Sequence, residues 1–113
     1  MKPEIANYKD YVRGDTINAR RFTITQTIDG VESPVDLTGA EIRCHFILSS
    51  ITIKFQIGGG ITLIDAANGV FTIDSFKLHH GGKWNFDVEI KFPDGTVKTW
   101  VKGSINILKD VTK

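Results

Sequence analysis

His79 and His80 are the first residues whose type suggests chemistry, since a neutral imidazole is a common zinc ligand. Their spacing argues against it. Adjacent side chains in extended backbone point to opposite faces, Asp74 is the one carboxylate nearby, and His45 is remote. A solvated pair ahead of Gly81-Gly82 is the better reading, and no metal or cofactor is expected. Asp87 and Glu89 stand two residues apart, which on a strand puts both carboxylates on one face at roughly 7 Å, a separation that glycoside hydrolysis can use. Lys91 continues the same row, so an ordinary charged, solvated strand face accounts for them. Cys44 lies in the alternation Ile42, Cys44, Phe46, Leu48 and reads as a small buried hydrophobe, with the neighbouring base His45 on the opposite face. No serine sits in a glycine-flanked nucleophile elbow. Gly58-Gly59-Gly60 is followed by Ile61-Thr62-Leu63-Ile64 in place of the Gly-Lys-Ser or Gly-Lys-Thr ending and helix of a phosphate loop, and reads as a flexible loop tip. Arg13-Gly14-Asp15 spells an adhesion tripeptide but reads as a turn feeding the first strand. No catalytic site assembles from these residues, and the chain is expected not to be an enzyme.

The tryptophans raise a binding question instead. Trp84 shares parity with Phe86 and Val88, which points it into a core. Trp100 shares parity with Lys98 and Lys102, while Val97 and Val101 take the other face, so Trp100 is expected to be exposed and to serve as a partner-binding anchor. Tyr8 and Tyr11, in or beside a polar amino-terminal arm over residues 1–10, are the other candidate contacts, ordered on a neighbouring protein.

The elements that would carry these residues are strands. Phe22, Ile24 and Ile28 alternate with Thr23, Thr25 and Thr27, and Asp29-Gly30 through Ser33-Pro34 supplies turn chemistry for a hairpin-like excursion. Strands are expected from about Glu41 to Leu48 and from Ile51 to Ile57. Asp65-Ala66-Ala67-Asn68-Gly69 is a strong reversal, across which Val70-Phe71-Thr72-Ile73 pairs back. Trp84, Phe86, Val88, Ile90 and Phe92 alternate with Asn85, Asp87, Glu89 and Lys91 in the cleanest pattern of the chain. Pro93-Asp94-Gly95 turns the chain back into Thr96–Lys102, and Gly103 marks a possible bulge before Ser104-Ile105-Asn106-Ile107. One short helical turn is placed near Phe76-Lys77-Leu78-His79. Together these predict an all-β, immunoglobulin-like β-sandwich of about seven to eight antiparallel strands, one domain over residues 11–113.

Composition agrees with one folded unit. The chain has 113 residues, 41% hydrophobic and 24% charged, enough apolar material for one core. Fourteen Lys and Arg against thirteen Asp and Glu give a net charge of +1. The basic residues are dispersed along the strands, so no nucleic-acid partner is expected. No apolar run approaches the roughly 20 residues of a membrane span, and the amino terminus lacks the apolar segment of a secretion signal, so no membrane insertion is expected.

Several short segments match a known pattern in order and spacing: Gly14-Asp15-Thr16, Val35-Asp36-Leu37-Thr38-Gly39-Ala40, Asn68-Gly69-Val70, Gly82 to Val88, Pro93-Asp94-Gly95-Thr96-Val97, Gly103-Ser104-Ile105 and Asp110-Val111-Thr112. From about Tyr11 onward the chain resembles the amino-terminal immunoglobulin-like domain of bacteriophage baseplate upper proteins and related tail-fibre proteins. It departs in Lys83-Trp84, where a glycine-tyrosine pair is more usual. The resemblance implies a virion building block made in the bacterial host cytoplasm and carried in the tail or baseplate. Its partners would be other phage structural proteins, with a possible homo-oligomer and neither catalysis nor cofactor. The alternative is a small carbohydrate- or cell-surface-binding β-sandwich module, which would need an exposed aromatic beside polar groups in a groove.

Overall fold

The longest strands form where apolar residues alternate most strictly. In the computed structural model, which describes residues 3–109, the strand β12 (Gly82–Lys91) sits between β7 (Glu41–Leu48) and β13 (Val97–Leu108). Both pairings are antiparallel, with Phe86 opposite Phe46 and Val88 opposite Val101. Trp84, Phe86, Val88 and Ile90 are each at most 3% exposed, while Lys83, Asn85 and Lys91 face solvent. The first two residues and the Asp110-Val111-Thr112 segment of the family pattern lie outside the described residues.

The other elements are short. In chain order they are β1 (Glu4–Ile5), β2 (Tyr11–Val12), β3 (Thr16–Ile17), β4 (Arg20–Thr23), β5 (Thr25–Ile28), β6 (Val31–Pro34), then β7, β8 (Ile51–Ile57), β9 (Gly60–Asp65), β10 (Val70–Ile73) and β11 (Phe76–Lys77), ahead of β12 and β13. The main sheet runs β1-β13-β12-β7-β8-β9-β10-β4, with β2 further along the free edge of β13. It curls around a single core, and two-stranded pairs β3–β11 and β5–β6 complete the sandwich-like all-β domain. An aromatic cluster fills the interior: Phe46 stacks on Phe86 at 5.0 Å and meets Phe76 at 4.8 Å, while Phe22 stacks on Phe71 at 5.4 Å.

Four local expectations change. The three glycines are a hydrogen-bonded corner, not a flexible tip. Gln56 and Gly59 exchange backbone bonds of 3.0 and 2.8 Å, Gly58 N–H donates to Ile61 at 3.0 Å, and the chain coils so that β8 and β9 lie parallel. Gly60 has φ 101°, and a Cβ there would strike the Phe55 ring, so glycine is required for space as well as conformation. The short helical turn is at Ala66–Asn68, ending on left-handed Gly69, whereas Phe76–Lys77 is a strand. The run from Phe22 to Ile28 is two strands, because Ile24 donates to Gly69 and accepts from Val35, which breaks the ladder between them.

The bulge is the fourth change. It lies three residues before Gly103: the register between β12 and β13 shifts between Val88 and Glu89, which pair with Val101 and Thr99, and Trp100 is the extra residue. Gly103 pairs regularly with Phe86, and its missing side chain has another cause. A Cβ there would collide with the Ala6 carbonyl oxygen and lie 2.7 Å from the Phe86 ring. The amino-terminal segment is thereby seated on β13, with Ala6 N–H donating to Lys102 at 2.8 Å, Tyr8 N–H to Ser104 at 2.9 Å, and Ser104 N–H to the Asn7 side chain at 3.0 Å. The expected arm is therefore folded against the domain's own edge over the residues described.

Gly103→Ala should lower stability by about 1–3 kcal/mol, the usual range for forcing a group into a packed site. Residues 4–12 should also become open to protease. Urea unfolding together with limited proteolysis checks this, and an unchanged midpoint with an intact amino terminus would remove Gly103 as the seat.

Candidate functional site

The structure separates the residues that sequence reasoning singled out. Trp100 is 7% exposed, so its expected surface position is corrected: the bulge shifts the phase of β13 and turns Trp100 and Val101 to the interior in succession. It packs edge-on to Phe92 at 6.3 Å, and its indole N–H has no hydrogen-bond partner. Trp84 is fully buried and donates to the His80 carbonyl at 2.9 Å. Neither tryptophan offers a face to a sugar, which removes the feature the carbohydrate reading drew on.

Tyr8 belongs to the core aromatic cluster and not to a free arm. Its ring meets Phe86 at 5.3 Å and Phe46 at 6.0 Å, and the Arg20 guanidinium stands 4.7 Å over it. The buried hydroxyl lacks a partner, and burial, then the nearby Cys44, pushes its pKa well up. Tyr11 is half-buried beside Asn18, whose N–H reaches its hydroxyl at 3.4 Å.

The remaining candidates do not converge. Cys44 is fully buried, and burial, with Asp87 second, raises its thiol pKa strongly. His45 faces the other way, 3.9 Å from Asp87. Asp87 and Glu89 lie half-buried in a cross-strand row of alternating charge, opposite His45 and Arg43 respectively. His79 and His80 are exposed, and among the described residues no three His, Cys, Asp or Glu side chains gather in a way that could hold a metal. Arg13-Gly14-Asp15 is a turn, closed by Asp15 N–H donating to Val12 at 3.0 Å with Gly14 at φ 85°. No helix is long and apolar enough to cross a membrane among the described residues.

Two surface features stand out instead. The first is the arm formed by β5 and β6. It is a sheet of its own, and Asp29 and Gly30, at φ 53° and 79°, make the tight turn that suits a two-residue hairpin. Ile28 and Val31 pair across its tip, 57% and 65% exposed. The second is a groove of about 480 Å³ on the outer face of β12, where Ile5 and Ile47 stand exposed beside Lys83, Asn85, Asp87 and Lys102. Sequence reasoning found the arm's turn but grouped Ile28 with the buried Phe22 and Ile24. Its position immediately before Asp29-Gly30 was the signal that it sits at a tip. Ile47 was legible as an apolar residue on the polar parity of Glu41, Arg43 and His45.

No protein-family model and no curated protein matches the chain. Among solved structures it is similar to a Bacteroides vulgatus protein described as a "putative glycoside hydrolase", at TM-score 0.49 and 10% identity, over 92% of this chain. The chain spans 17% of that protein's length. The expectation that the chain is not an enzyme is not carried further: one structural neighbour bears an enzyme's description, and a likeness this distant carries no activity across in either sense.

The two raised pKa values make stability fall in alkali. A phenol or thiol with a raised folded-state pKa keeps a proton that the unfolded chain releases, so Tyr8 and Cys44 favour folding fully below their ordinary values of 10.0 and 9.0. That contribution is lost as pH climbs above those values, at up to about 1.4 kcal/mol per pH unit for each group. The urea midpoint should hold steady to about pH 8 and then drop, with a shallower drop in Tyr8→Phe and Cys44→Ala. Equal slopes in wild type and both variants would refute the assignment. At neutral pH Tyr8→Phe should leave stability unchanged or raise it by up to about 1 kcal/mol, because it removes an unpaired buried hydroxyl.

Proposed function

We propose that the chain is a structural and assembly module of a phage or prophage tail or baseplate, docking to neighbouring virion proteins through its projecting hairpin and its sheet face. The observation that carries this reading is the β5–β6 arm, with two aliphatic side chains exposed side by side on a sheet that joins no other strand among the described residues. An isolated two-stranded hairpin is marginal in water, and a partner that covers its apolar tip supplies the missing burial. Elongation points the same way. The radius of gyration is 15.1 Å with extents of 54 × 29 × 24 Å, against about 13 Å expected for a compact chain of this length.

The resemblance to the amino-terminal domain of baseplate upper proteins supplies the setting, and a β-sandwich with an arm suits it, since such a domain acts by presenting surfaces. Its place would be the virion after synthesis in the host cytoplasm.

The test is immunogold labelling of phage particles released by the bacterium that encodes the chain, with antibody raised against the purified domain. Label confined to tails or baseplates is the expected result. Unlabelled particles, with the protein remaining in the cell lysate, would overturn the reading.

A further inference from the structure

The arm and the groove are complementary in charge and apolar character, and they lie at different ends of the molecule. Between Thr25 and Pro34 the arm carries Asp29 and Glu32 and no basic residue. Ile28 and Val31 share one face of it, while Thr27 and Glu32 share the other, with Glu32 accepting from the Thr25 hydroxyl at 2.7 Å. The groove presents Ile5 and Ile47, 68% and 39% exposed, with Lys83 and Lys102 on its rim. Its one carboxylate, Asp87, lies toward His45 at 3.9 Å.

The arm is rooted near one end of β12 and the groove lies over the other. The arm leaves the body at Ile24 and Val35, which are bonded to each other and, through Ile24, to Gly69. Leu37 is bonded to Ala66, and Gly39 lies against Pro93, just beyond the carboxyl end of β12. The groove lies over the first half of β12, from Lys83 to Asp87.

We propose that the β5–β6 arm of one copy seats in the β12 groove of a second, with Ile28 and Val31 against Ile5 and Ile47, and Asp29 at the turn facing Lys83 and Lys102. The occupant is a second copy because this chain itself provides both complementary halves. The contact is heterologous: each copy uses a different surface on either side, so copies add head to tail into a ring or a filament. This rests on the assembly reading and names one of its partners. Apolar contact holds the tip and the charges set its register, so the association weakens as salt screens the rim.

The test is light scattering coupled to size-exclusion chromatography, from micromolar to millimolar protein, at low and high salt. Wild type should rise above its monomer mass of 12.6 kDa with concentration, and less so at high salt. An arm variant, Ile28→Asn with Val31→Asn, and a groove variant, Ile47→Asn with Lys102→Glu, should each stay monomeric while keeping the near-ultraviolet circular dichroism of the buried tryptophans. Mixed together they should form a dimer and stop, since one intact arm and one intact groove remain. If the groove variant misfolds, Lys83→Glu with Lys102→Glu replaces it, altering two exposed side chains alone. A monomeric wild type at every concentration overturns the proposal. So do variants that associate as wild type does, or a mixture that stays monomeric, which would indicate an interface of like surfaces. Labelled virions with a monomeric domain would sink this inference and spare the assembly reading; head-to-tail association with unlabelled virions would do the reverse.

Discussion

The pairing of β12 with β7 and β13 is the constraint on which the rest of the structure depends. Four consecutive inward positions, Trp84, Phe86, Val88 and Ile90, are removed from water on one strand, each contributing about 1.5–3 kcal/mol or more for the largest rings. Because strand side chains alternate with a period of two, a one-residue slip in either pairing would carry all four to the solvent face. Phe46 opposite Phe86, and Cys44 opposite Val88, lock one register. On the other side Trp100 is inserted without disturbing the alignment of Phe86 with Gly103, because the bulge absorbs the extra residue before the chain reaches that point.

From this follows the treatment of the sheet's edge. β13 is twelve residues long and would present an unpaired row of backbone donors and acceptors, the usual template for unwanted pairing. The amino-terminal segment covers that row in parallel, and at Gly103 it passes too close to leave room for a side chain. Tyr8 pins the segment by adding its ring to the cluster of Phe46, Phe76 and Phe86. The unbonded Tyr8 hydroxyl is the local cost, set against the larger gain of burying the ring.

How much of this was legible in the sequence depended on whether the determining contact was local. The alternation from Trp84 to Ile90, the Asn68-Gly69 reversal and the Asp29-Gly30 turn are local, and each predicted its element. The Pro93-Asp94-Gly95 turn is local too: Asp94 accepts from Thr96 N–H at 2.8 Å, and that bond, with one from the Thr96 side chain, holds its carboxyl below the usual range. Trp100 failed because parity counted across a bulge inverts, and nothing within Val97–Lys102 announces one. Gly103 and the triple glycine failed for a related reason. Their roles are set by Ala6, 97 residues away, and by the ring of Phe55 folding back over Gly60. Candidate sites suffered most, because the arm and groove consist of ordinary aliphatic and charged residues whose meaning lies in exposure.

That exposure is informative because of the contrast within one chain. The sequence follows the rule of apolar-in and polar-out over most of β7, β12 and β13, and among the described residues Ile5, Val31 and Ile28 depart from it furthest, ahead of Val97, Ile64, Leu108, Ile47 and Ile57. Single exposed aliphatics are common on any protein and need no explanation. Two paired on a hairpin tip are different, since a Thr or Lys at either position would keep the strand and improve solubility. The same holds for Ile47, flanked on its strand face by His45 and across it by Asn85. A hairpin that joins no sheet gains little from its own ladder, and keeping aliphatics at its end weakens it further in water. On the assembly reading proposed above, a partner that covers the tip stabilises the arm, so the stability of the arm and the occupancy of that surface would be one equilibrium.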